Sequence, residues 1–429
     1  MDVRLEKARA IVSSVKVRRA AKGDTWLVPS QSSRGKGYLV TWQERDTAGY
    51  RCTCPDFEHR RRDCKHILAV ALVLTQETER TETTHADGST TVTTRTRTTA
   101  TAAVNVQRPT YRQVWPAYNA AQTQEKAQFQ ALLHDLCATI PQPAQVGKNS
   151  GRKRLLLGDM VFCAAFKVYS TLSGRRFMSD LNDAHEKGYV ANVPHFNSIF
   201  NTLENPALTP LLQALVTTSA LPLASIETNF AVDSTGLSVS KFTRWFDHKW
   251  GDVKEQRDWK KVHAMCGVKT NVVTAVSVTG ANGADSPQFI PLMHKTAERF
   301  SMNEVSADKA YLSKKNLQAV WDADAMPYIP FKSNSVSLGI ARVSPLWRRL
   351  FHYYNMERDS FLAQYHKRSN VETAFSMIKR KFGDALRSKT GVAQVNEALC
   401  KVLAHNLCCL IQSMHELGIS PDFEAVRAA

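Results

Sequence analysis

The stretch that decides the fold assignment is Tyr365-His-Lys-Arg-Ser-Asn-Val-Glu-Thr-Ala-Phe-Ser-Met-Ile-Lys379. It contains neither Pro nor Gly, and its apolar residues recur at helical spacing, so the sequence predicts a helix with one buried face. At ~100° per residue, a neighbouring stripe of that helix carries a single carboxylate among cations: Tyr365, Arg368, Glu372 and Lys379. Two interpretations follow. Arg368 and Glu372, four residues apart, form an ordinary surface ion pair, or the stripe belongs to a functional site.

The bulk composition narrows the class of protein. A chain of 429 residues is long enough for two or three domains. Its formal charge of +17 favours a polyanionic partner such as DNA or RNA, because displaced counterions drive such binding. We find no apolar signal region and no long uninterrupted apolar run, so the sequence predicts no membrane anchor. The 9 cysteines are scattered, which is typical of reduced thiols plus a metal site and of a cytoplasmic protein.

A metal-ligand pattern lies near the N-terminus. β-Branched and aromatic residues between Tyr38 and Arg51 predict a hairpin. Two closely spaced ligand pairs follow it, and an apolar helix from Ile67 to Leu74 comes next. Four thiolate and imidazole groups fill the tetrahedral shell of Zn²⁺, which leaves no position for catalysis. The predicted ligands are Cys52, Cys54, Cys64 and His66.

This pattern, Cys-x-Cys followed by Cys-x-His, resembles the SWIM zinc finger. We therefore predict a small zinc-binding module over residues 1–74. The resemblance implies that such a module binds either DNA or a protein, and a modest excess of basic residues around the ligands suits both.

The next two segments differ sharply in composition. Residues 75–107 are rich in Thr and predict either a disordered tether or an exposed hairpin around Ala86-Asp-Gly-Ser89. Residues 108–224 show helical spacing and predict a bundle that binds DNA or forms dimer contacts. Its candidate phosphate contacts are Lys148, Arg152, Lys153 and Arg154.

After residue 224 the pattern changes from helix to strand. Three strands are followed by a helix, a strand, a helix and a last strand, which is the element order of an RNase H-like α/β core with a mixed sheet. We place this core at residues 225–390 and a C-terminal helix within 391–429. The predicted segments are Ile226–Leu237, Lys261–Val268, Val272–Val278, Phe289–Phe300, Glu304–Asp308, Lys314–Ala323 and Pro327–Phe331.

Carboxylates fall at informative places in that core. Asp233 lies in the first strand, Asp308 ends the fourth, and Glu372 lies on the helix quoted at the outset. If the three converge, their mutual repulsion requires cations. Hard oxygen ligands favour Mg²⁺ or Mn²⁺, and two such ions ~3.5–4 Å apart catalyse in-line phosphoryl transfer. Taken singly, Asp233 and Asp308 are equally typical of turn and helix caps.

These residues resemble the DDE-type transposases of bacterial insertion sequences. Tyr365, Arg368, Glu372 and Lys379 match the Tyr-Arg-Glu-Lys signature of one large group of these enzymes. Ala231-Val-Asp-Ser-Thr-Gly236 and Ala307-Asp-Lys-Ala-Tyr311 match as well, so the resemblance runs from about Arg108 to the C-terminus. The chain departs from many relatives in one respect. Residues 332–364 are too few for the long β-rich insertion those relatives carry before the catalytic Glu.

The resemblance implies an activity and a role for each residue. Asp233, Asp308 and Glu372 would hold the catalytic metals, Arg368 and Lys379 would contact phosphates at the transposon end, and Tyr365 would help to position them. The neighbouring cations Arg380 and Lys381 extend the predicted DNA contact on grounds of charge alone. Trp245, Trp250, Trp259 and His248 are predicted either to stack on a base or to pack in the core.

The expected function is therefore cleavage of double-stranded DNA at the ends of an element and joining of the 3′-hydroxyl to target DNA. Because two ends are processed together, we expect a homodimer on DNA, in the cytoplasm at the bacterial nucleoid. Two alternatives remain at this point: a structure-specific nuclease that cuts without joining, and a DNA-binding regulator that has lost its chemistry and retains the zinc module.

Overall fold

We describe the protein from a computed structural model. The structure describes residues 3–14, 17–19, 25–30, 37–41, 51–60, 63–74, 78–84, 90–96, 114–143, 155–239, 259–335 and 344–423. Several predicted contacts lie outside the described residues, namely Lys148, Arg152, Lys153, Arg154, Trp245, His248 and Trp250. The chain forms two compact units, and each is described by itself. The first comprises Met1–Arg108 and Pro330–Ala363, and the second comprises Pro109–Ile329 and Gln364–Ala429.

The N-terminal part of the first unit is a small sheet covered by helices. Its four strands pair antiparallel in chain order. Val28, Val40 and Cys52 face a core that also contains Ile11 and Ile67, whereas Leu27 and Leu39 lie opposite each other on the outer face. The elements are α1 (Val3–Ser14), β1 (Arg18–Arg19), β2 (Thr25–Pro29), β3 (Gly37–Thr41), β4 (Arg51–Cys52), α2 (Pro55–Arg60) and α3 (Lys65–Leu74).

The Thr-rich segment contains two further strands, β5 (Thr78–Thr84) and β6 (Thr90–Thr96). They pair antiparallel along their whole length, with Thr81 opposite Thr93. Of the two structures expected for this segment, the described residues therefore adopt the hairpin.

The described residues of the second unit begin with five α-helices: α4 (Trp115–Ala138), α5 (Leu157–Ser170), α6 (Gly174–Glu186), α7 (Phe196–Leu203) and α8 (Leu208–Ala220). The apolar spacing predicted this helical block. Helix α5 is buried over most of its length because the C-terminal helix of the chain lies against it, as it does against α4 and α8.

A five-stranded mixed sheet follows, made of β7 (Asn229–Ser238), β8 (Trp259–Gly267), β9 (Val273–Gly280), β10 (Glu304–Ala307) and β11 (Met326–Tyr328). Helix α9 (Ser286–Ala297) separates β9 from β10, and α10 (Lys314–Asp322) separates β10 from β11. The strand order is β11-β10-β7-β8-β9. Strands β7, β8 and β9 are antiparallel, while β10 is parallel to both β7 and β11. The predicted mixed α/β core is therefore present.

Four further helices follow in the described residues: α11 (Pro345–Met356), α12 (Arg358–Tyr365), α13 (Ser369–Phe382) and α14 (Gly391–Leu417). Helix α12 ends at the first residue of the quoted stretch, and α13 contains most of it. Within the first unit, Phe331 packs against Trp347 and Phe351 of α11. The described part of the short segment before the signature is thus helical. None of the helices in the described residues combines the length and apolarity needed to cross a membrane.

The structure corrects the prediction of one uninterrupted helix over 365–379. A 3₁₀ turn at His366–Arg368 separates α12 from α13, and Tyr365 is the last residue of α12. Ion pairs explain the break, since Lys367 binds Glu304 of β10 and Arg368 binds Asp233 of β7. Short 3₁₀ segments are common at helix ends, where tertiary contacts set the last turn.

Candidate active site and zinc site

The sheet places the two predicted catalytic aspartates side by side. Asp233 is the fifth residue of β7, and Asp308 directly follows β10. Ala307 pairs with Val232 across the parallel strands, so the next residue on each strand is also a neighbour, at the strand spacing of about 4.8 Å. Asp308 caps the 3₁₀ turn Lys309–Tyr311, where its carboxylate accepts from the Lys309 N–H.

Glu372 reaches the same place from the first turn of α13. That helix buries Val371, Phe375 and Ile378 and lies against β7 and β8, which leaves Glu372 on the adjoining, more exposed face. Arg368 joins the two elements. One end of its guanidinium pairs with the Asp233 carboxylate, and Nη2 lies 2.6 Å from Glu372 Oε1. The Arg368–Glu372 pair is therefore part of a larger cluster and not an isolated surface ion pair.

The carboxylates of this cluster influence the pKa of Asp233. Burial raises the pKa of Asp233, and the nearby Asp308 and Glu372 carboxylates raise it further. The Ser234 N–H and Arg368 oppose that rise. Burial also raises the pKa of Tyr365, whose ring centroid lies 5.8 Å from the Arg368 guanidinium carbon. A buried carboxylate beside two others is stabilised by cations, and Arg368 supplies one.

The donor set fits divalent cations. Three carboxylates of this hardness suit Mg²⁺ or Mn²⁺, and residues that could hold such an ion are Asp233, Asp308 and Glu372. In the described part of the chain, however, their oxygens do not gather within 4.8 Å of one another as the cysteine and histidine ligands do. The Arg368 guanidinium lies between Asp233 and Glu372 instead.

The other predicted DNA contacts differ in whether they already have a partner inside the molecule. Lys381 pairs with Glu125 of α4 and lies over the Tyr169 ring, so its charge is already balanced. Lys379 and Arg380 make no ion pair with a carboxylate among the described residues. Trp259, at the start of β8, is 42% exposed, which leaves its ring accessible.

A second polar cluster escaped prediction. Asp285, at the N-cap of α9, accepts from Ser234 Oγ at 2.8 Å and lies 2.7 Å from Lys261 Nζ. Burial alone would raise the pKa of Asp285, but Lys261 and Ser234 hold it below its usual value. The phenol of Tyr311 is buried beside the cluster, where burial, Asp285, Asp233 and Asp308 raise its pKa. The sequence did contain one indication of this cluster. Ser234 follows Asp233 on a predicted strand, so its side chain points to the opposite face of the sheet from Asp233.

The predicted zinc ligands come together in the first unit. Cys52 ends β4, and Cys54 directly precedes α2. Cys64 directly precedes α3, and His66 lies in the first turn of that helix. Their ligand atoms all lie within 4.8 Å of one another, and all four residues are buried. His66 Nδ1 is 3.7 Å from Cys64 Sγ and 3.9 Å from Cys52 Sγ. The Cys52 and Cys64 thiols donate hydrogen bonds to the Cys54 sulfur and lower the pKa of Cys54. Three thiols and an imidazole at these distances suit a tetrahedral zinc site.

Comparison with known proteins adds family matches to this geometry. Residues 225–407 match the transposase DDE domain family. Residues 38–74 match the SWIM zinc finger family. Both resemblances predicted from the sequence are confirmed by these matches. The first covers Asp233, Asp308 and Glu372, and the second covers the four cysteine and histidine residues of the cluster.

One similar protein carries a function in its name. A segment of 161 residues is 26% identical to a protein of Archaeoglobus fulgidus named as the probable transposase for insertion sequence element ISA1214. The similarity covers 38% of this chain and 47% of that protein. The chain thus spans about half the length of the relative it matches.

Proposed function

We propose that the protein is a DNA transposase with an RNase H-like catalytic core. The observation that carries the proposal is the Arg368 guanidinium, which bonds both the strand aspartate Asp233 and the helix glutamate Glu372. It brings two of the three signature carboxylates to one place, and Asp308 adjoins them on the neighbouring strand. The match of residues 225–407 to transposase DDE domains supports the same conclusion.

The proposed reaction has two steps. Water attacks the phosphodiester at the end of the element, the bond from phosphorus to the 3′ oxygen breaks, and a 3′-hydroxyl is freed. That hydroxyl then attacks a target phosphodiester and displaces its 3′ oxygen. The joining step exchanges one phosphate ester bond for another, so it needs no external energy source.

Each residue has a proposed part in these steps. Asp233, Asp308 and Glu372 would hold divalent cations. Such cations, when bound, lower the pKa of the attacking hydroxyl and stabilise the leaving oxygen. Arg368 and Lys379 would bind phosphate oxygens of the DNA end, and Tyr365 would orient Arg368 through their ring contact. Arg380, exposed one residue further along α13, would extend that contact.

The remaining regions take supporting parts in the proposal. The first unit would hold Zn²⁺ through Cys52, Cys54, Cys64 and His66 and bind DNA or a protein partner. The helical region over 108–224 would contact DNA or a second copy, because two ends must be processed together. Since its substrate is chromosomal DNA, the protein would act in the cytoplasm.

The test is a strand-transfer assay with the purified protein. Duplexes carrying the inverted repeats that flank the coding region are mixed with a target plasmid and Mg²⁺, with EDTA in the control. Cleaved ends joined to the plasmid would support transposition. Cleavage without joined product would favour a nuclease, and binding without cleavage a regulator; either result would refute the proposal.

A further inference from the structure

A surface of cations and aromatic rings lies where helices α6 and α7 begin. We call it the α6–α7 patch and define it by Arg175, Arg176, His195, Phe196 and Phe200. Both arginines and His195 are exposed, and the Phe200 side chain is 37% exposed. Neither the metal chemistry nor the signature residues account for this surface.

The aromatic rings hold the cations in a defined arrangement. The Arg175 guanidinium carbon lies 5.5 Å from the Phe196 ring centroid, and the His195 ring centroid lies 4.1 Å from it. Phe200 packs edge-on to Phe196 at 6.2 Å. A side chain at Gly174 would lie 2.7 Å from Phe200 Cζ, so the glycine allows the close approach of α6 to this ring. The patch is therefore a packed platform that presents cations to solvent.

The arginines stand where helix electrostatics disfavour them. Arg175 and Arg176 lie in the first turn of α6, next to the positive end of the helix dipole. The N-cap residue, Ser173, makes no side-chain capping bond. In the described part of the chain, neither guanidinium pairs with a carboxylate. An external anion would offset this local excess of positive charge.

The patch is continuous with the loop that follows the signature helix. Arg387, in that loop, donates to the Thr171 carbonyl oxygen, three residues before α6 begins. Glu397 fixes the loop by accepting from the Arg387 and Ser388 N–H groups at 2.9 and 2.7 Å. Lys389 is exposed at the end of the same loop. The loop after α13, which carries Arg387 and Lys389, thus contacts the segment that leads into α6.

We propose that the α6–α7 patch binds the phosphate backbone of the DNA duplex whose end enters the candidate active site. The inference rests on the proposed function, since it takes duplex DNA as the substrate. Arginine guanidinium groups bind phosphate oxygens in pairs, and charge complementarity selects this partner over a neutral or basic protein surface. The patch would contribute to the affinity for DNA and to the position of the protein along the duplex, but it would not read the base sequence.

The test compares two double variants for binding to a labelled duplex over a series of salt concentrations. Arg175→Ala with Arg176→Ala should weaken binding and reduce the slope of log K against log salt by about one to two. The control is Lys269→Ala with Arg299→Ala. This control removes the same charge from two exposed positions, one just after β8 and one just after α9, beyond the ends of the strands away from Asp308. It should leave the slope unchanged. The double variant Arg175→Lys with Arg176→Lys keeps both charges and should retain most of the wild-type slope.

The outcomes separate this inference from the proposed function. Circular dichroism first establishes that each variant is folded. If the alanine variant keeps the wild-type slope while the wild-type protein binds and cleaves DNA, the patch is refuted and the proposed function stands. If the alanine variant changes the oligomeric state with unaltered DNA affinity, the patch is a protein contact and the inference is wrong. A wild-type protein that binds no duplex would overturn both.

Discussion

Glu372 is the residue on which the proposed chemistry most depends, because it brings the signature helix to the strand carboxylates. Changing Glu372 to Gln keeps its size and removes the charge that a divalent cation requires. We expect DNA cleavage to fall by at least about a hundredfold, while the dissociation constant for duplex DNA stays within about threefold. Cleavage and binding are measured on the same labelled duplex with Mg²⁺.

The matched control for that experiment is Glu298→Gln. Glu298 is an exposed carboxylate at the end of α9 and belongs to no carboxylate cluster among the described residues. The Glu298→Gln variant should cleave DNA as fast as the wild-type protein. Cleavage retained in Glu372→Gln would refute the metal assignment.

Cys64 tests the second site. Its sulfur lies at the start of α3, 3.7 Å from His66 Nδ1, and a serine there replaces a thiolate by a poor zinc ligand. We expect Cys64→Ser to lose about one bound zinc per chain and to weaken DNA or partner binding. Metal analysis after gel filtration measures the zinc content. Cys408→Ser, at a partly exposed cysteine outside the cluster, should keep its zinc, and equal zinc in the two variants would contradict the assignment.

At the scale of single residues, the sequence indicated candidate site residues but not the partners of the charged groups. Residue type and spacing singled out Asp233, Glu372 and the four zinc ligands, since few chemistries use those groups in that order. The partners of the basic residues were not predictable. Lys367 meets Glu304 at 2.5 Å and Lys381 meets Glu125, and both carboxylates are distant in sequence. An ion pair between elements depends on packing, which no local pattern records.

At the scale of elements, α14 holds the loop that follows the signature helix. Lys401 Nζ donates to the Gly383 and Ala385 carbonyl oxygens at 2.9 and 2.8 Å, and Glu397 accepts from two loop N–H groups. The loop in turn bonds to the end of β7, where the Leu386 N–H donates to the Ser238 carbonyl oxygen. The position of the loop therefore depends on charged side chains inside the molecule.

Glu397→Ala should destabilise the second unit. It leaves two N–H groups without an acceptor and removes the carboxylate that offsets the buried Lys401 ammonium. We expect the free energy of unfolding to fall by about 2 kcal/mol or more, measured by urea denaturation. The control, Glu204→Ala at the exposed end of α7, should change it by about 0.5 kcal/mol at most. Equal values for the two variants would show that the loop is held by other contacts.

Elements differed in how far the sequence predicted them. The order of strands and helices in the core was predictable because apolar periodicity changes with element type. The break at His366–Arg368 was not, because it follows from ion pairs to β7 and β10 that override an uninterrupted helical pattern. The pairing of β4 with β3 agrees with the hairpin predicted between Tyr38 and Arg51, although β4 is only two residues long.

At the scale of the second unit, buried polar groups on α14 tie the helical block to the sheet. Asn406 donates to the Val273 and Val216 carbonyl oxygens and accepts from the Val273 N–H. Asn396 joins the same helix to the Leu203 carbonyl oxygen. The sequence predicted a packed helix here, with no sign that asparagines would form its contacts. Their bonds are directional, so they fix how α14 lies on its neighbours.

His405 makes the stability of this arrangement depend on pH. Its ring is buried on α14, and Nε2 lies 2.9 Å from the Asn271 carbonyl oxygen, which identifies Nε2 as the protonated nitrogen. The Cys409 sulfur lies 3.4 Å from Nε2 and 3.9 Å from Nδ1 of the same ring. The pKa of His405 is lowered to about 4, chiefly by burial and to a smaller extent by the nearby Lys381, while the hydrogen bond to Asn271 opposes the shift.

Because the folded pKa lies below the unfolded value near 6.5, the unfolded chain binds the extra proton first as the pH falls. The contribution of His405 to stability is complete above pH 6.5 and declines toward pH 4, by up to about 1.4 kcal/mol per pH unit. His405→Gln keeps a donor for Asn271 and removes the titration. Urea denaturation at pH 7 and pH 5 should therefore show a smaller loss of unfolding free energy in the variant than in the wild type. Equal losses in the two proteins would mean that His405 is charged or exposed in the folded state.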